Sequence, residues 1–176
     1  MLEIHVALDE SFDEERSKFV ITDSFKVMLE HSLVSVSKWE SVWEEAFLGK
    51  REKTTEQTLS YVSLMILNDE LPPGVWQKLV EKHLEEIKTY VSASMTATKL
   101  HTDPNSPTSR ETITSELIYY WMISMKVPVE FETWHLNRLI TLIRVINLKN
   151  SPKKKMSPGE RRNLNRQRLA SQRTRG

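Results

Sequence analysis

Apolar and polar residues alternate along the first thirty positions of the chain. One side of an extended strand there would carry Leu2, Ile4, Val6 and Leu8. Phe19 and Ile21 predict a short second strand, and the acidic segment 9–18 before them predicts a loop. The alternation then continues at Phe25, Val27 and Leu29. Residues 1–30 are therefore expected to form a small antiparallel β element with one buried face.

After His31 the apolar residues recur every three or four positions, which is the period of a helix. The first helix is expected to end near Gly49, and its apolar positions are Val36, Trp39, Trp43 and Phe47. A second helix is predicted over 54–67, because Thr54 and Gln57 fit a capping box. Its apolar stripe consists of Leu59, Val62 and Ile66.

Two prolines, Pro72 and Pro73, predict the start of a third helix. Its apolar face would hold Trp76, Leu79, Val80, His83, Leu84, Ile87 and Val91. The stretch 95–110 is rich in Thr, Ser and Pro, and it predicts a strand-like piece that runs into a loop. This loop divides the helical part of the chain in two.

A fourth helix is predicted to begin at a capping box of Thr108 and Glu111 and to stop at Pro128. Its inward side chains would be Ile113, Leu117, Tyr120, Trp121 and Met125. A fifth helix over 130–147 would bury Trp134, Leu136, Leu139, Ile140, Ile143 and Ile146. Because the connection between these two helices is short, we expect an antiparallel pair.

These patterns together predict a mainly helical protein of the α+β class. A short N-terminal antiparallel β element precedes about five packed helices and a basic C-terminal extension. The expected divisions are a β element at 1–30, a helical body at 31–150 and a basic tail at 151–176. Within the body, the first helices span 31–95, a linker spans 96–108 and the helix pair spans 109–150.

Charge is divided unevenly between the body and the tail. The tail holds nine of the 25 Lys and Arg residues and one of the 24 acidic residues, so the body is net acidic. The basic positions of interest are Lys153, Lys154, Lys155, Arg161, Arg162, Arg166 and Arg168. Such a tail can bind nucleic acid or an acidic protein surface, become helical on binding, fold back on an acidic body, or stay a disordered solubilising segment.

Catalytic chemistry has little support in the sequence. The chain has no Cys and only four Gly residues, so thiolate sites and glycine-rich phosphate loops are missing from it. The five histidines, at 5, 31, 83, 101 and 135, lack the short spacing of a helical metal pair. We expect a hydrogen-bonded, partly buried His83 and an exposed His135. No serine is marked as a nucleophile, so we expect no catalytic residues, no metal, no cofactor and no enzyme activity.

Aromatic side chains are the main candidates for binding a protein partner. The candidate residues are Trp39, Trp43, Tyr119, Tyr120, Trp121 and Trp134. The tryptophans fall where helix periodicity already demands apolar residues, which favours core packing. The consecutive residues 119–121 span much of a helix circumference, so at least one ring should face a partner, another element or solvent.

The N-terminal segment is acidic and lacks the features of a signal peptide, and no apolar run is long enough for a membrane span. We therefore expect a cytoplasmic protein with no membrane partner.

Four segments of the chain resemble small proteins of tailed bacteriophages. They are EHSLVSVSKWESVWEEAFL at 30–48, YVSLMILNDELPP at 61–73, MTAT at 95–98, and SRETITSELIYYWMISMKVPVEFETWHLNRLITLIRVINLKNSPKKKMS at 109–157. Within the last segment, YYWMISMKVP leading into EFETWHLNRLITLI is similar to the helix, proline turn and helix of phage tail assembly chaperones.

This resemblance implies a non-catalytic role in the host cytoplasm during phage assembly. Members of that family bind the long tape-measure protein, shield its apolar helices and help to recruit tail-tube subunits. Tape-measure protein and tail-tube protein are thus the implied partners, and self-association is open. The alternatives are a structural virion protein of the neck, tail or baseplate, and a nucleic-acid-binding protein that acts through the basic tail.

Overall fold

The computed structural model describes residues 1–14, 16–100 and 112–150, together with Gly159, Arg162, Asn163 and Arg166. The chain divides into two compact units, 1–146 and 147–176. The predicted capping box at Thr108 and Glu111 lies outside the described residues. So do the tail positions Lys153, Lys154, Lys155, Arg161 and Arg168.

The chain begins with a long β-hairpin formed by β1 (Leu2–Asp13) and β2 (Lys18–Leu29). The strands are antiparallel, with Leu2 opposite Leu29 and Asp13 opposite Lys18. The prediction of a loop over 9–18 was therefore wrong for its first half, because 9–13 continues β1. Hydrogen bonds between the two backbones hold this part of the ribbon, and they do not require apolar side chains.

Only the base of the hairpin contributes to the hydrophobic core. Its buried side chains are Ile4, Val6, Val27 and Leu29. The distal half, residues 9–14 and 18–24, is largely exposed. There the rings of Phe12 and Phe19 meet edge to face, with centroids 5.2 Å apart.

Helix α1 (Leu33–Trp43) begins at a reciprocal cap in which Ser32 and Ser35 bond each other's backbone amides. It ends at Glu44, whose φ of 51° is left-handed, and not near Gly49 as predicted. Phe47 therefore lies beyond the helix, yet it is buried. The chain turns back there because the amide of Phe47 donates to the Glu40 carboxylate at 2.7 Å.

Helix α2 (Thr55–Leu64) begins at the predicted capping box of Thr54 and Gln57, which is confirmed. Its buried side chains include Tyr61 and Val62. Leu59, predicted to be on the apolar stripe, is 43% exposed.

The third predicted helix is two elements. A short 3₁₀ helix, Trp76–Lys78, is followed by α3 (Glu81–Ser92), because Leu79 and Val80 are extended. The two prolines precede both elements in a loop, and Val80 is exposed. His83 is partly buried as expected, and its Nδ1 accepts the Val80 amide at 3.2 Å. Residues 93–100 form no strand, so the strand-like piece predicted from 95 was wrong where it is described.

Helix α4 (Ser115–Ser124) is capped at its N-terminus by Thr114. Its buried side chains are Ser115, Ile118 and Met122. The predicted inward face was therefore wrong at Tyr120, which is 64% exposed. The reason is that the polar Ser115 takes a core position where its amide donates to Glu40 at 2.7 Å. Among the described elements α4 approaches α1 most closely, in place of the predicted pairing with the fifth helix.

Pro128 begins a 3₁₀ helix, Val129–Thr133, before α5 (Leu136–Asn150). The fifth helix thus starts later than the predicted Glu130. Leu136, Leu139 and Ile143 are buried as predicted. The described residues therefore form an α+β fold of two antiparallel strands followed by five α-helices, which confirms the predicted class.

Glu40 connects three parts of this fold, and its removal should be costly. Its two carboxylate oxygens accept the amides of Phe47 and Ser115, and the residue is buried. Glu40→Ala would leave two buried N–H groups unpaired, so we expect a loss of about 2–5 kcal/mol in the free energy of unfolding. Urea denaturation measures this loss. Glu40→Gln, which keeps one acceptor oxygen, should lose less, and exposed Glu52→Ala should change little. An equal effect of Glu40→Ala and Glu52→Ala would contradict the assignment.

Candidate protein-binding surface

An open groove of about 550 Å³ lies between α2 and α3. Its walls carry five aliphatic side chains, which are Leu59 and Val62 from α2 and Leu84, Ile87 and Val91 from α3. The polar side chains of Thr55, Thr58, Glu85 and Ser92 also line it. Leu59 is exposed at the rim, whereas Val62 and Ile87 are buried at its base. The groove is therefore a concave and largely apolar surface between two helices.

The floor of the groove is aromatic. The rings of Phe47 and Tyr61 line it, with centroids 4.1 Å apart. Behind them, Trp39 packs edge to face on Phe47 at 5.2 Å. The Trp39 indole N–H donates to the Gln57 carbonyl at 2.9 Å, which holds α1 against the start of α2. The floor is consequently supported by packed rings.

A buried imidazole stands directly behind the floor. His31 is 2% exposed, and its Nδ1 lies 2.5 Å from the Tyr61 hydroxyl. Burial, with a smaller contribution from neighbouring His135, lowers the pKa of His31 to about 3. Burial also raises the pKa of the Tyr61 phenol. Both groups are therefore neutral near pH 7 and can share one hydrogen bond.

The imidazole of His135 lies next to that of His31, with ring centroids 5.0 Å apart. Its Nε2 is 3.1 Å from the Tyr90 carbonyl, which can only accept, so Nε2 carries the proton. Its Nδ1 accepts the Asn137 amide at 3.3 Å. Burial lowers the pKa of His135, and the bond to Tyr90 partly opposes that shift. The expectation of an exposed His135 was wrong, because the ring fills the space between His31 and α3.

Lysine side chains stand at the edge of the groove. Lys53 Nζ donates to the Phe47 carbonyl at 2.7 Å and lies 4.3 Å from the centroid of the Phe47 ring. Burial lowers the pKa of Lys53, whereas Glu45 and Glu40 act in the opposite direction. Lys88 also lines the groove, and its Nζ is 3.9 Å from Glu85. The groove thus combines an apolar centre with a charged rim, where the two lysines stand beside one acidic residue, Glu85.

A second apolar surface lies on the outer side of α4. Tyr120 is 64% exposed and Ile123 is 78% exposed, and they are three residues apart on one helix. Tyr119 is only partly buried, and its hydroxyl donates to Glu132 at 2.8 Å. Trp121 is also partly buried. The expectation that one of residues 119–121 faces outward is met by Tyr120.

The remaining predicted aromatic residues are packed within the body. Trp39 is 1% exposed, so it is a core residue and not a partner-binding one. Trp43 stacks on Trp39 and donates to Ser60 Oγ at 3.1 Å. Trp134 is partly buried between Phe131, at 3.9 Å, and the Arg138 guanidinium, at 4.1 Å. In the tail, Arg162 and Arg166 are helical and exposed.

Sequence reasoning did not identify the groove, although it placed all five of its aliphatic wall residues on helix faces. Leu84, Ile87 and Val91 were placed on one helix face, and Leu59 and Val62 on another. The lining residues that it missed include Tyr61 and Lys53. Tyr61 lies four residues before Met65, and this apolar spacing was the available signal for it in the sequence.

No group of three or more possible metal ligands occurs among the described residues. None of the helices in the described ranges is long and apolar enough to cross a membrane. Comparison with models of known protein families, with curated proteins and with solved structures finds no match for this chain. The geometry of the groove and of the outer face of α4 is therefore the structural basis for a functional proposal.

Stability should fall as the pH is lowered through the titration range of an ordinary histidine. The unfolded chain binds a proton on His31 near pH 6.5, whereas the folded chain does so only near pH 3. The contribution of His31 to the free energy of unfolding is therefore fully present above about pH 6.5. It decreases below that pH, by up to about 1.4 kcal/mol per pH unit. Urea denaturation between pH 7.5 and 5 measures the slope.

The variant His31→Gln should have a flatter profile of unfolding free energy against pH, whatever its absolute stability. His5→Gln, at an exposed position of β1, is the matched control and should keep the slope of the unaltered protein. The same slope in His31→Gln and in the unaltered protein would show that His31 is not the responsible group.

Proposed function

We propose that this protein is a tail assembly chaperone of tailed bacteriophages, which binds the tape-measure protein without catalysing a reaction. The observation that carries the proposal is the apolar groove between α2 and α3. A non-catalytic protein that shields apolar helices needs an accessible apolar surface of fixed shape. The groove, with Leu59 at its rim and Phe47 and Tyr61 at its floor, meets that requirement.

The proposed ligand of the groove is an amphipathic helix of the tape-measure protein. A helix presents apolar anchors at three- and four-residue spacing, and an aliphatic groove between two helices can accept them. The aromatic floor would contact the central anchor, and Lys53 and Lys88 would stand near acidic residues on the flanks of that helix. Binding then removes apolar surface of both chains from water, which is the main source of favourable free energy.

The outer face of α4 is the proposed contact for the tail-tube protein. Tyr120 and Ile123 form an exposed aromatic and aliphatic pair there. The resemblance of residues 119–143 to phage tail assembly chaperones also supports the proposal, because it includes most of this helix. A protein with two separate apolar surfaces can hold a tape-measure helix and a tail-tube subunit at the same time.

Co-expression with a tape-measure fragment tests the groove. We expect the unaltered protein to keep the fragment soluble and to co-purify with it. Leu59→Glu would place a charge at the apolar rim and should weaken binding by about tenfold or more, with a stability change of only about 0.5 kcal/mol. Leu67→Glu is the matched control, since Leu67 is 50% exposed and lies outside the groove.

A fragment that is equally insoluble with and without the protein would count strongly against the chaperone function. Equal loss of binding in Leu59→Glu and Leu67→Glu would show that the groove is not the binding site. Quantitative mass spectrometry of purified phage particles and of infected-cell lysate distinguishes a chaperone from the main alternative, a structural virion protein. A chaperone should be abundant in lysate and absent from particles, whereas a fixed copy number in particles would make the protein a virion component.

A further inference from the structure

The outer side of α4 carries four exposed side chains in a regular order. From the start of the helix to its end they are acidic, aromatic, aliphatic and basic, namely Glu116, Tyr120, Ile123 and Lys126. The first three follow each other at spacings of four and three residues, so they lie on one side of the helix. An exposed apolar pair therefore has a negative charge at one end and a positive charge at the other.

The basic residue of this series lies in the turn that ends α4. Lys126 has a left-handed φ of 56°, and its amide donates to the Ile123 carbonyl at 3.2 Å. The following amide, that of Val127, donates to the Met122 carbonyl at 2.8 Å. These two bonds form a Schellman motif. The backbone that carries the Lys126 charge is therefore fixed relative to the helix.

The two charges of the series are not paired within the protein. Neither Glu116 nor Lys126 has an ion-pair partner among the described residues. Glu116 accepts the Ser115 hydroxyl at 3.4 Å, and it lines a pocket together with Glu44 and Glu45. None of the described residues that line this pocket is basic. A cation from another molecule would therefore reduce the repulsion between like charges at this end of α4.

The series is complementary to itself when two α4 helices lie antiparallel. With a two-fold axis midway between Tyr120 and Ile123, each Tyr120 packs against Ile123 of the other copy. Glu116 precedes that midpoint by 5.5 residues and Lys126 follows it by 4.5 residues, so they differ in height by only about 1.5 Å. Each Glu116 then faces Lys126 of the other copy. A parallel arrangement would instead bring the like charges together.

We propose that this protein forms a symmetric dimer through the outer faces of two antiparallel α4 helices. The interface is isologous, since each copy contributes the same residues. Two ion pairs between Glu116 and Lys126 lie on either side of an apolar centre of Tyr120 and Ile123. The opposite ends of the two helix dipoles are also adjacent in this arrangement. Because each copy contributes one short helix, the buried area is small and the dimer is weak and exchangeable.

The same face is the proposed contact for the tail-tube protein, and this consequence of the dimer rests on the proposed function. A second copy would cover Tyr120 and Ile123 in the free protein, and a tail-tube subunit would have to displace it. Tail-tube protein should therefore convert the dimer into complexes that contain one copy of this chain. Binding of tail-tube protein to an intact dimer would show that its contact lies elsewhere.

Sedimentation of the full chain over a concentration series tests the dimer without any phage partner. The unaltered protein should change from monomer to dimer as its concentration rises towards about 1 mM. Ile123→Glu would place two charges in the apolar centre and should raise the dissociation constant by about tenfold or more. Val42→Glu is the matched control, because Val42 is an exposed aliphatic residue of α1, and it should leave the dimer intact.

Exchange of the two charges tests the pairing itself. Glu116→Lys and Lys126→Glu should each weaken the dimer by about tenfold or more, because each variant opposes like charges. A mixture of the two variants should form a heterodimer, since every charge then faces an opposite charge on the other copy. Glu52→Lys, at an exposed position outside α4, changes the net charge as Glu116→Lys does and should have no effect. Circular dichroism verifies that each variant is folded.

Three results would overturn the dimer. The first is an unaltered protein that stays monomeric at about 1 mM. The second is equal weakening by Ile123→Glu and Val42→Glu. The third is a mixture of the two charge variants that dimerises no better than either variant alone. These tests are separate from the groove, because no residue of α4 is among those that line it.

Discussion

The fold depends on a small buried hydrogen-bonded cluster centred on His31. The residue lies between β2 and α1, and its carbonyl accepts the Leu136 amide at 2.7 Å, which fixes the start of α5. Its ring contacts Tyr61 of α2 and His135, whose Nε2 bonds the Tyr90 carbonyl of α3. Four helices are thus joined through two neutral imidazoles and their neighbours. Because no buried side-chain polar atom among the described residues lacks a partner, the cluster stabilises the core without an uncompensated charge.

The sequence predicted the features that depend on neighbouring residues. The capping box at Thr54 and Gln57 is local, and so is the alternation that places Ile4, Val6 and Val27 in the core. The α+β class followed from these local periods. The presence of an N-terminal hairpin was also predictable. Its length was not, because strand pairing continues through charged residues as readily as through apolar ones.

Features that depend on distant residues were not predictable in the same way. The early end of α1 at Glu44 and the position of Phe47 depend on the Glu40 carboxylate, which also binds Ser115 far along the chain. The burial of His135 depends on His31 and Tyr90. A single-sequence pattern contains no information about such partners. For the same reason the groove could not be predicted, since each wall was visible as a helix face but their juxtaposition was not.

The division of the hairpin into a buried base and an exposed distal half has a consequence for how this protein can evolve. Substitutions at Ile4 or Val27 disturb the core and are constrained by folding. Substitutions in residues 9–14 and 18–24 touch little of the core, so selection on stability leaves them free to vary. The distal hairpin can therefore acquire or exchange binding specificity among related chains while the helical body, and the groove within it, keeps its structure.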